Sequence, residues 1–173
     1  MSLQRAASCF APILSRETHP ATAKPSKRKG YPTLSQPDYD LRVSSPLVLV
    51  MAAGEGTRMR SSLPKVLHPV CGRTMVAWPI AAAREAGAGK VAAIVSPERD
   101  ISSGLPEGVE IVVQPESDGT GGAIRAALAL IREAETVLVL SGDHPLVSAE
   151  TLTALLATHR EAGAAATVTT AVL

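Results

Sequence analysis

Aromatic residues are scarce: Phe, Tyr and Trp together make up 2% of the 173 residues. With 46% of the chain apolar, a core has to be assembled from Ala, Val, Leu and Ile, which suits helices lying close on a Val-rich sheet. Cysteine is scarce too. Cys9 and Cys71 are too few and too unpatterned for a disulfide framework or a zinc cluster, and both read as free thiols in a reducing compartment, the cytoplasm. Long apolar runs are missing: the longest strand-like block, Leu47 to Ala53, falls far short of the roughly 18 residues that span a bilayer, so a soluble protein without membrane insertion is expected. Excess charge of either sign is missing as well. A formal net charge of +1 leaves no basic stripe for nucleic acid, and any phosphate recognition has to be local.

What is present divides the chain in two. Residues 1–45 mix Ser, Pro, Thr and Ala around a small basic cluster, Lys24, Lys27, Arg28 and Lys29. They show neither helical periodicity nor strand alternation, and read as a disordered extension; no apolar h-region marks a signal peptide. From Leu47 onward, apolar runs of four to six residues alternate with Ala-rich stretches, the pattern of βαβ units on a parallel sheet. Strands are expected over Leu47–Met51, Val91–Val95, Glu110–Val113, Thr136–Leu140 and Ala166–Ala171. Helices are expected over about Met75–Ala86, Gly121–Ala134 and Ala149–Ala162, the last with Ser148 as N-cap and Gly163 as its stop. Pro79 requires the first helix either to begin nearby or to kink. The chain stops directly after a strand-like segment, so residues 46–173 read as one C-terminally truncated α/β domain, Rossmann-like, with a mostly parallel sheet flanked by helices.

Three segments carry chemistry. The first, Ala52-Ala53-Gly54-Glu55-Gly56-Thr57-Arg58-Met59, follows the first strand, where open α/β sheets bind ligands. Its small residues allow a nucleotide close to backbone N–H groups, and the cations Arg58 and Lys65 suit a polyphosphate whose charge must be neutralised as pyrophosphate leaves. A plain structural turn with two solvated cations is the alternative. The Walker pattern is excluded because no Gly-Lys-Ser/Thr occurs, and the dinucleotide fingerprint because Met59 stands where a third glycine is needed.

The second segment, Gln114-Pro115-Glu116-Ser117-Asp118-Gly119-Thr120-Gly121-Gly122-Ala123, runs from a strand end into a helix. The Gln114 amide can donate to and accept from a base edge, Gly119 allows close backbone approach, and Thr120 offers a hydroxyl or, alternatively, an N-cap. The third, Val137-Leu138-Val139-Leu140-Ser141-Gly142-Asp143-His144-Pro145-Leu146, is a buried strand ending in a lone carboxylate. Asp143 suits Mg²⁺ held jointly with substrate phosphates, or caps the turn toward Pro145; His144 reads as a solvated loop residue.

In this order, A-A-G-E-G-T-R-M with L-P-K-V-L-H just beyond, then Q-P-E-S-D-G-T-G-G-A, then S-G-D-H-P-L, the motifs resemble the pyrophosphorylase domain of the bifunctional N-acetylglucosamine-1-phosphate uridyltransferases. The Leu63-Pro64-Lys65-Val66-Leu67-His68 stretch distinguishes this family from other sugar-1-phosphate and molybdenum-cofactor nucleotidyltransferases. The resemblance implies that Met51, Ala52, Ala53 and Gly54 line a uridine site, that Arg58 and Lys65 are the catalytic cations meeting phosphates, and that Gln114 reads uracil. It further implies that Gly119 and Thr120 contact the nucleoside, that Ser141 and Gly142 belong to the nucleotide site, and that Asp143 binds Mg²⁺. Three positions depart from the family pattern: Met51 stands for a Leu, Asp118 for a Leu, and Gly122 for a His.

The activity so implied is attack of N-acetylglucosamine-1-phosphate on UTP, giving UDP-N-acetylglucosamine, a cell-envelope precursor, and pyrophosphate. The resemblance spans about residues 46–173, roughly half of the family's transferase domain, and leaves out its sugar-binding residues, its second metal ligand and its trimerising acetyltransferase domain. A catalytically incomplete nucleotide-binding module, or a nucleotidyltransferase for another sugar phosphate, is the alternative. A dinucleotide-binding oxidoreductase would need an acidic residue at the end of the second strand, where Val95-Ser96-Pro97 stands.

Overall fold

Strand β1 (Leu47–Met51) is apolar at every position, and Leu47 through Val50 are all buried, which requires cover on both faces of the strand. The computed structural model, which describes residues 45–54, 56, 59–116 and 118–170, supplies that cover. β1 pairs in parallel with β4 (Lys90–Val95) on one side and β6 (Val137–Ser141) on the other, and β4 pairs in parallel with β5 (Glu110–Val113). The sheet order is β5-β4-β1-β6.

Strand alternation sorts the core into two layers. Val48, Val50, Val91, Ala93, Leu138 and Leu140 meet Ile80 and Ala83 of α1 (Ala77–Glu85) and Leu152 of α4 (Ala149–Glu161). Leu47, Leu49, Ala92 and Ile94 meet Ala123 of α2 (Thr120–Ala126), Ala127, and Ile131 of α3 (Leu128–Ile131). The result is the α/β architecture expected, a parallel sheet flanked by helices. With so few aromatics, the small Ala93, Ala83, Ala123 and Ala127 let helix and sheet backbones approach closely. No helix among the described residues is long and apolar enough to cross a membrane.

The helix ends follow from local chemistry. Ser148 Oγ accepts the Thr151 N–H at 3.3 Å, capping α4. At its other end Gly163 takes φ +54°, and the Ala164 and Gly163 N–H groups donate to the carbonyls of His159 and Arg160, a Schellman closure. Pro79 is the third residue of α1, within the first turn, where the missing N–H has no helical partner to lose. The helix therefore begins near Pro79 and is not kinked by it.

The structure differs from the sequence expectation in four places. The helix expected over Gly121–Ala134 is α2 and α3 separated at Ala127, whose N–H bonds to Ile124 three residues back; Glu133 and Ala134 repeat that tighter i−3 pattern, so regular α-helix stops at Ile131. Residues 166–170 form no strand: the segment is tied back to α4 by Thr167 Oγ1 and His159 Nδ1 at 2.9 Å instead of joining a sheet edge. Ala171 lies outside the described residues, as does the extension expected over residues 1–45 except Ser45. Two short strands, β2 (Pro69–Val70) and β3 (Arg73–Thr74), form an antiparallel hairpin turned through Cys71 and Gly72, both at positive φ. Lys65–Leu67 is a 3-10 turn directly after Pro64. Cys71 is an exposed free thiol at the hairpin tip; Cys9 lies outside the described residues.

Candidate functional site

The three chemistry-bearing segments all leave the carboxyl end of the sheet, and each is tied to its neighbour one step past the strand pairing. The Ala52 N–H donates to the Ile94 carbonyl at 2.9 Å, Gln114 N–H to Val95 at 2.8 Å, and Gly142 N–H to Met51 at 2.9 Å. Segments distant in sequence are thereby fixed at one edge of the sheet, the edge where parallel α/β sheets bind ligands. Gly142 is required at the last of these crossings, because a Cβ there would sit 2.9 Å from the Met51 carbonyl oxygen and 3.4 Å from Val66 Cγ1.

The β1 loop and the β6 loop meet through charge. Lys65 Nζ donates to Asp143 Oδ2 at 2.6 Å, an ion pair between residues 78 positions apart. Ser141 Oγ donates to the other carboxylate oxygen, Oδ1. The Lys65 hydrogen bond, then that from Ser141, hold the Asp143 carboxyl below its ordinary 3.8, against a smaller opposing effect of burial. Asp143 is thus an ionised, pre-oriented oxygen donor. Lys65 is itself positioned by its 3-10 turn and by Gly56, whose φ of +63° brings the glycine loop so close that a Cβ at 56 would lie 2.6 Å from Lys65 Cβ. His144 is largely exposed, with Nε2 3.6 Å from Asp143 Oδ1, in keeping with a loop residue at the rim.

The β5 loop contributes Gln114, a buried polar side chain only 5% exposed. Its Nε2 donates to Asp118 Oδ1 at 2.9 Å and to the Gly119 carbonyl at 3.2 Å. Asp118 in turn is ion-paired with Arg125 of α2. Gly119 at φ +85° is the N-cap residue of α2, so Thr120 is the first helical residue and not the cap, and its side chain is left for the cavity.

Between these segments lies an open cavity of about 610 Å³. Of the residues expected at the site, it is lined by Met51, Ala53, Gly54, Lys65, Gln114, Gly119, Thr120, Ser141 and Asp143. Ala52 and Gly142 are not on its wall. Ala52 is buried in the core layer beneath, and the Gly142 N–H is used up by Met51, so both shape the floor without facing a ligand. Arg58 lies outside the described residues. Gly56, Met59, Val66 and Ala123 also line the cavity and were not singled out. Gly56 was legible as the second glycine of the loop; Val66 and Ala123 carry no signal beyond adjacency to Lys65 and to the Gly119–Gly122 run.

The model of the MobA-like NTP transferase domain matches residues 48–172. The chain belongs to this family. Within the MobA-like NTP transferases, its similar relatives are bifunctional GlmU proteins: that of Trichlorobacter lovleyi is 47% identical over 129 residues, 72% of this chain and 28% of the relative. That of Rubrobacter xylanophilus is 47% identical over 133 residues, 75% of this chain and 28% of the relative. These matches bear out the family resemblance carried by the motifs, and the chain spans little more than a quarter of the length of the curated relatives it matches. Among solved structures, Rv0371c of Mycobacterium tuberculosis H37Rv superposes with a TM-score of 0.58 at 23% identity, covering 69% of this chain and 63% of that one. UDP-glucose pyrophosphorylase from Acinetobacter baumanii gives 0.57 at 20% identity, covering 70% of this chain and 54% of that one. Both share the fold of this chain.

Proposed function

We propose that residues 46–173 are the nucleotide-binding part of a sugar-1-phosphate nucleotidyltransferase that joins UTP and N-acetylglucosamine-1-phosphate into UDP-N-acetylglucosamine, releasing pyrophosphate. The observation that carries this reading is the Lys65–Asp143 pair in the wall of a cavity that is also lined by a glycine loop and Gln114. One cation and one carboxylate, each facing the same space, are the complement of a metal-bound polyphosphate.

In the reaction, a phosphate oxygen of the sugar phosphate bonds to the α-phosphorus of UTP while the bond from that phosphorus to the bridging oxygen breaks, and pyrophosphate leaves with the electron pair. No protein nucleophile is needed. Lys65, with Arg58, stabilises the charge that develops on the transferring phosphoryl group and on pyrophosphate. Gln114 reads the base, Gly119 and Thr120 bound the nucleoside, and Met51, Ala53 and Gly54 give it close backbone approach. Mg²⁺ fits the donor set: a single ionised carboxylate fixed by Ser141, in a site where no cluster of three or more metal-ligating side chains occurs among the described residues, suits an ion that takes one or two carboxylates plus substrate phosphates. When bound, the ion neutralises phosphate charge; Asp143 would hold it.

A second reading, nucleotide binding without turnover, is favoured by the charge of the cavity wall. Lys65 and Asp143 are its only charged lining groups among the described residues, and both are accounted for by the nucleotide side. Release of pyrophosphate from UTP, N-acetylglucosamine-1-phosphate and Mg²⁺ separates the two. Turnover that falls about a hundredfold or more in Lys65→Ala supports the transferase; UTP binding with no pyrophosphate formed supports the binding module.

A further inference from the structure

The turn that ends β6 sets a second metal-ligating side chain beside Asp143. The His144 N–H donates to the Ser141 carbonyl and the Val147 N–H to the His144 carbonyl, each at 3.4 Å, so the backbone is held on both sides of the residue. Its imidazole Nε2 stands 3.6 Å from Asp143 Oδ1. That is too long for a hydrogen bond. It is close to the span of two ligands on one ion, because atoms each about 2.1 Å from a metal lie about 3.4 Å apart at a tetrahedral angle. The other claims on the carboxylate leave a place for such an ion: Lys65 Nζ holds Oδ2, and Ser141 Oγ takes one of the two lone pairs of Oδ1. At 73% exposed, the imidazole has room to turn toward it.

Resting on the reading above that Asp143 holds the metal, we propose that His144 is a second protein ligand, and that this pair of one carboxylate and one imidazole favours a transition ion such as Co²⁺ or Zn²⁺ over Mg²⁺. Imidazole nitrogen suits Zn²⁺ and its neighbours, whereas Mg²⁺ is a hard ion that takes oxygen and gives up its water reluctantly. Asp143 alone serves either kind of ion. The nitrogen adds affinity only for the transition ion, and with Mg²⁺ the same imidazole stays in solvent. Two protein ligands leave the remaining positions to phosphate oxygens and water, the open arrangement that an ion shared with a substrate needs. His144 lies off the cavity wall, so it closes on the carboxylate without taking space from the nucleotide.

The test is calorimetric titration of the full chain with UTP at saturating Mg²⁺ and at saturating Co²⁺, for wild type, His144→Ala and Asp143→Ala, together with the visible absorption of Co²⁺ in each UTP complex. The wild type binds UTP more tightly with Co²⁺. His144→Ala lowers the Co²⁺:Mg²⁺ ratio of UTP affinities about tenfold or more, the least that losing a group which supports a metal costs. The change lies in the Co²⁺ arm, while the Mg²⁺ arm stays within about twofold because that ion never used the nitrogen. The Co²⁺ spectrum of His144→Ala returns to that of an ion with oxygen ligands only. A ratio and a Co²⁺ spectrum that are the same in wild type and His144→Ala, or an equal loss of affinity with both metals, overturns the ligand role and leaves the nucleotide site standing. An Asp143→Ala protein that keeps the full response to both metals overturns the metal reading of Asp143, and the role of His144 with it. A wild type that binds no UTP with either metal overturns the nucleotide-site reading itself.

Discussion

Replacing Asp143 by Ala is expected to strengthen UTP binding when metal is absent and to abolish its response to Mg²⁺. Without metal, Asp143 holds Lys65 Nζ at 2.6 Å and sets a negative charge beside the phosphate path. A triphosphate has to break that pair before it can use the lysine. The side chains of Lys65 and Asp143 are 36% and 29% exposed, so the pair is screened by solvent and its breaking costs about 0.5–1 kcal/mol. Removing the carboxylate returns that cost to binding, a two- to fivefold lower Kd at roughly 1.4 kcal/mol per factor of ten. With Mg²⁺ the order reverses: the wild type gains through a metal held by Asp143, and the variant does not. Calorimetric titration of UTP in EDTA and in Mg²⁺ measures both halves. An Asp143→Ala protein that binds UTP more weakly than wild type in EDTA, or that keeps the full Mg²⁺ response, would refute the reasoning.

Other perturbations test the frame around the site. Gly142→Ala sets a Cβ 2.9 Å from the Met51 carbonyl, a backbone atom that cannot swing away, and should lower stability by about 1–3 kcal/mol in urea denaturation while weakening UTP binding, since Ser141 and Asp143 move with the strand end. Ser148→Ala removes the only side-chain cap of α4 and should cost about 1 kcal/mol, leaving UTP affinity unchanged.

Much of the fold was legible because the central strands β1 and β4 are buried on both faces. Strands such as Leu47–Met51 read as uninterrupted apolar runs, and their bounds agree with the structure to within a residue. What escaped reading was set by contacts or by weak local signals. Ala127, an ordinary helix former, interrupts α2 and α3 while buried against the sheet, and the Cys71-Gly72 turn carries little sequence warning. The apolar alternation of residues 166–170 resembled a strand, but a strand exists only where an edge receives it. Within the site, the residue types that carry chemistry stood at strand ends in the sequence, and parallel strands bring their ends to one edge, where most of those residues line a single cavity. That Lys65 and Asp143 touch, and that Asp118 fills the space over Gly122, depends on pairings across 78 and 4 positions that no local pattern encodes.

A crystal structure of the full chain with UTP and Mg²⁺ tests the central claim most directly. The account predicts uracil against the Gln114 amide, the ribose over Gly119 and Thr120, phosphate oxygens within hydrogen-bonding distance of Lys65 Nζ, the metal on Asp143, and the Lys65–Asp143 pair parted. A nucleotide lodged elsewhere, or one bound in this cavity with that pair still closed and Gln114 untouched, would contradict it.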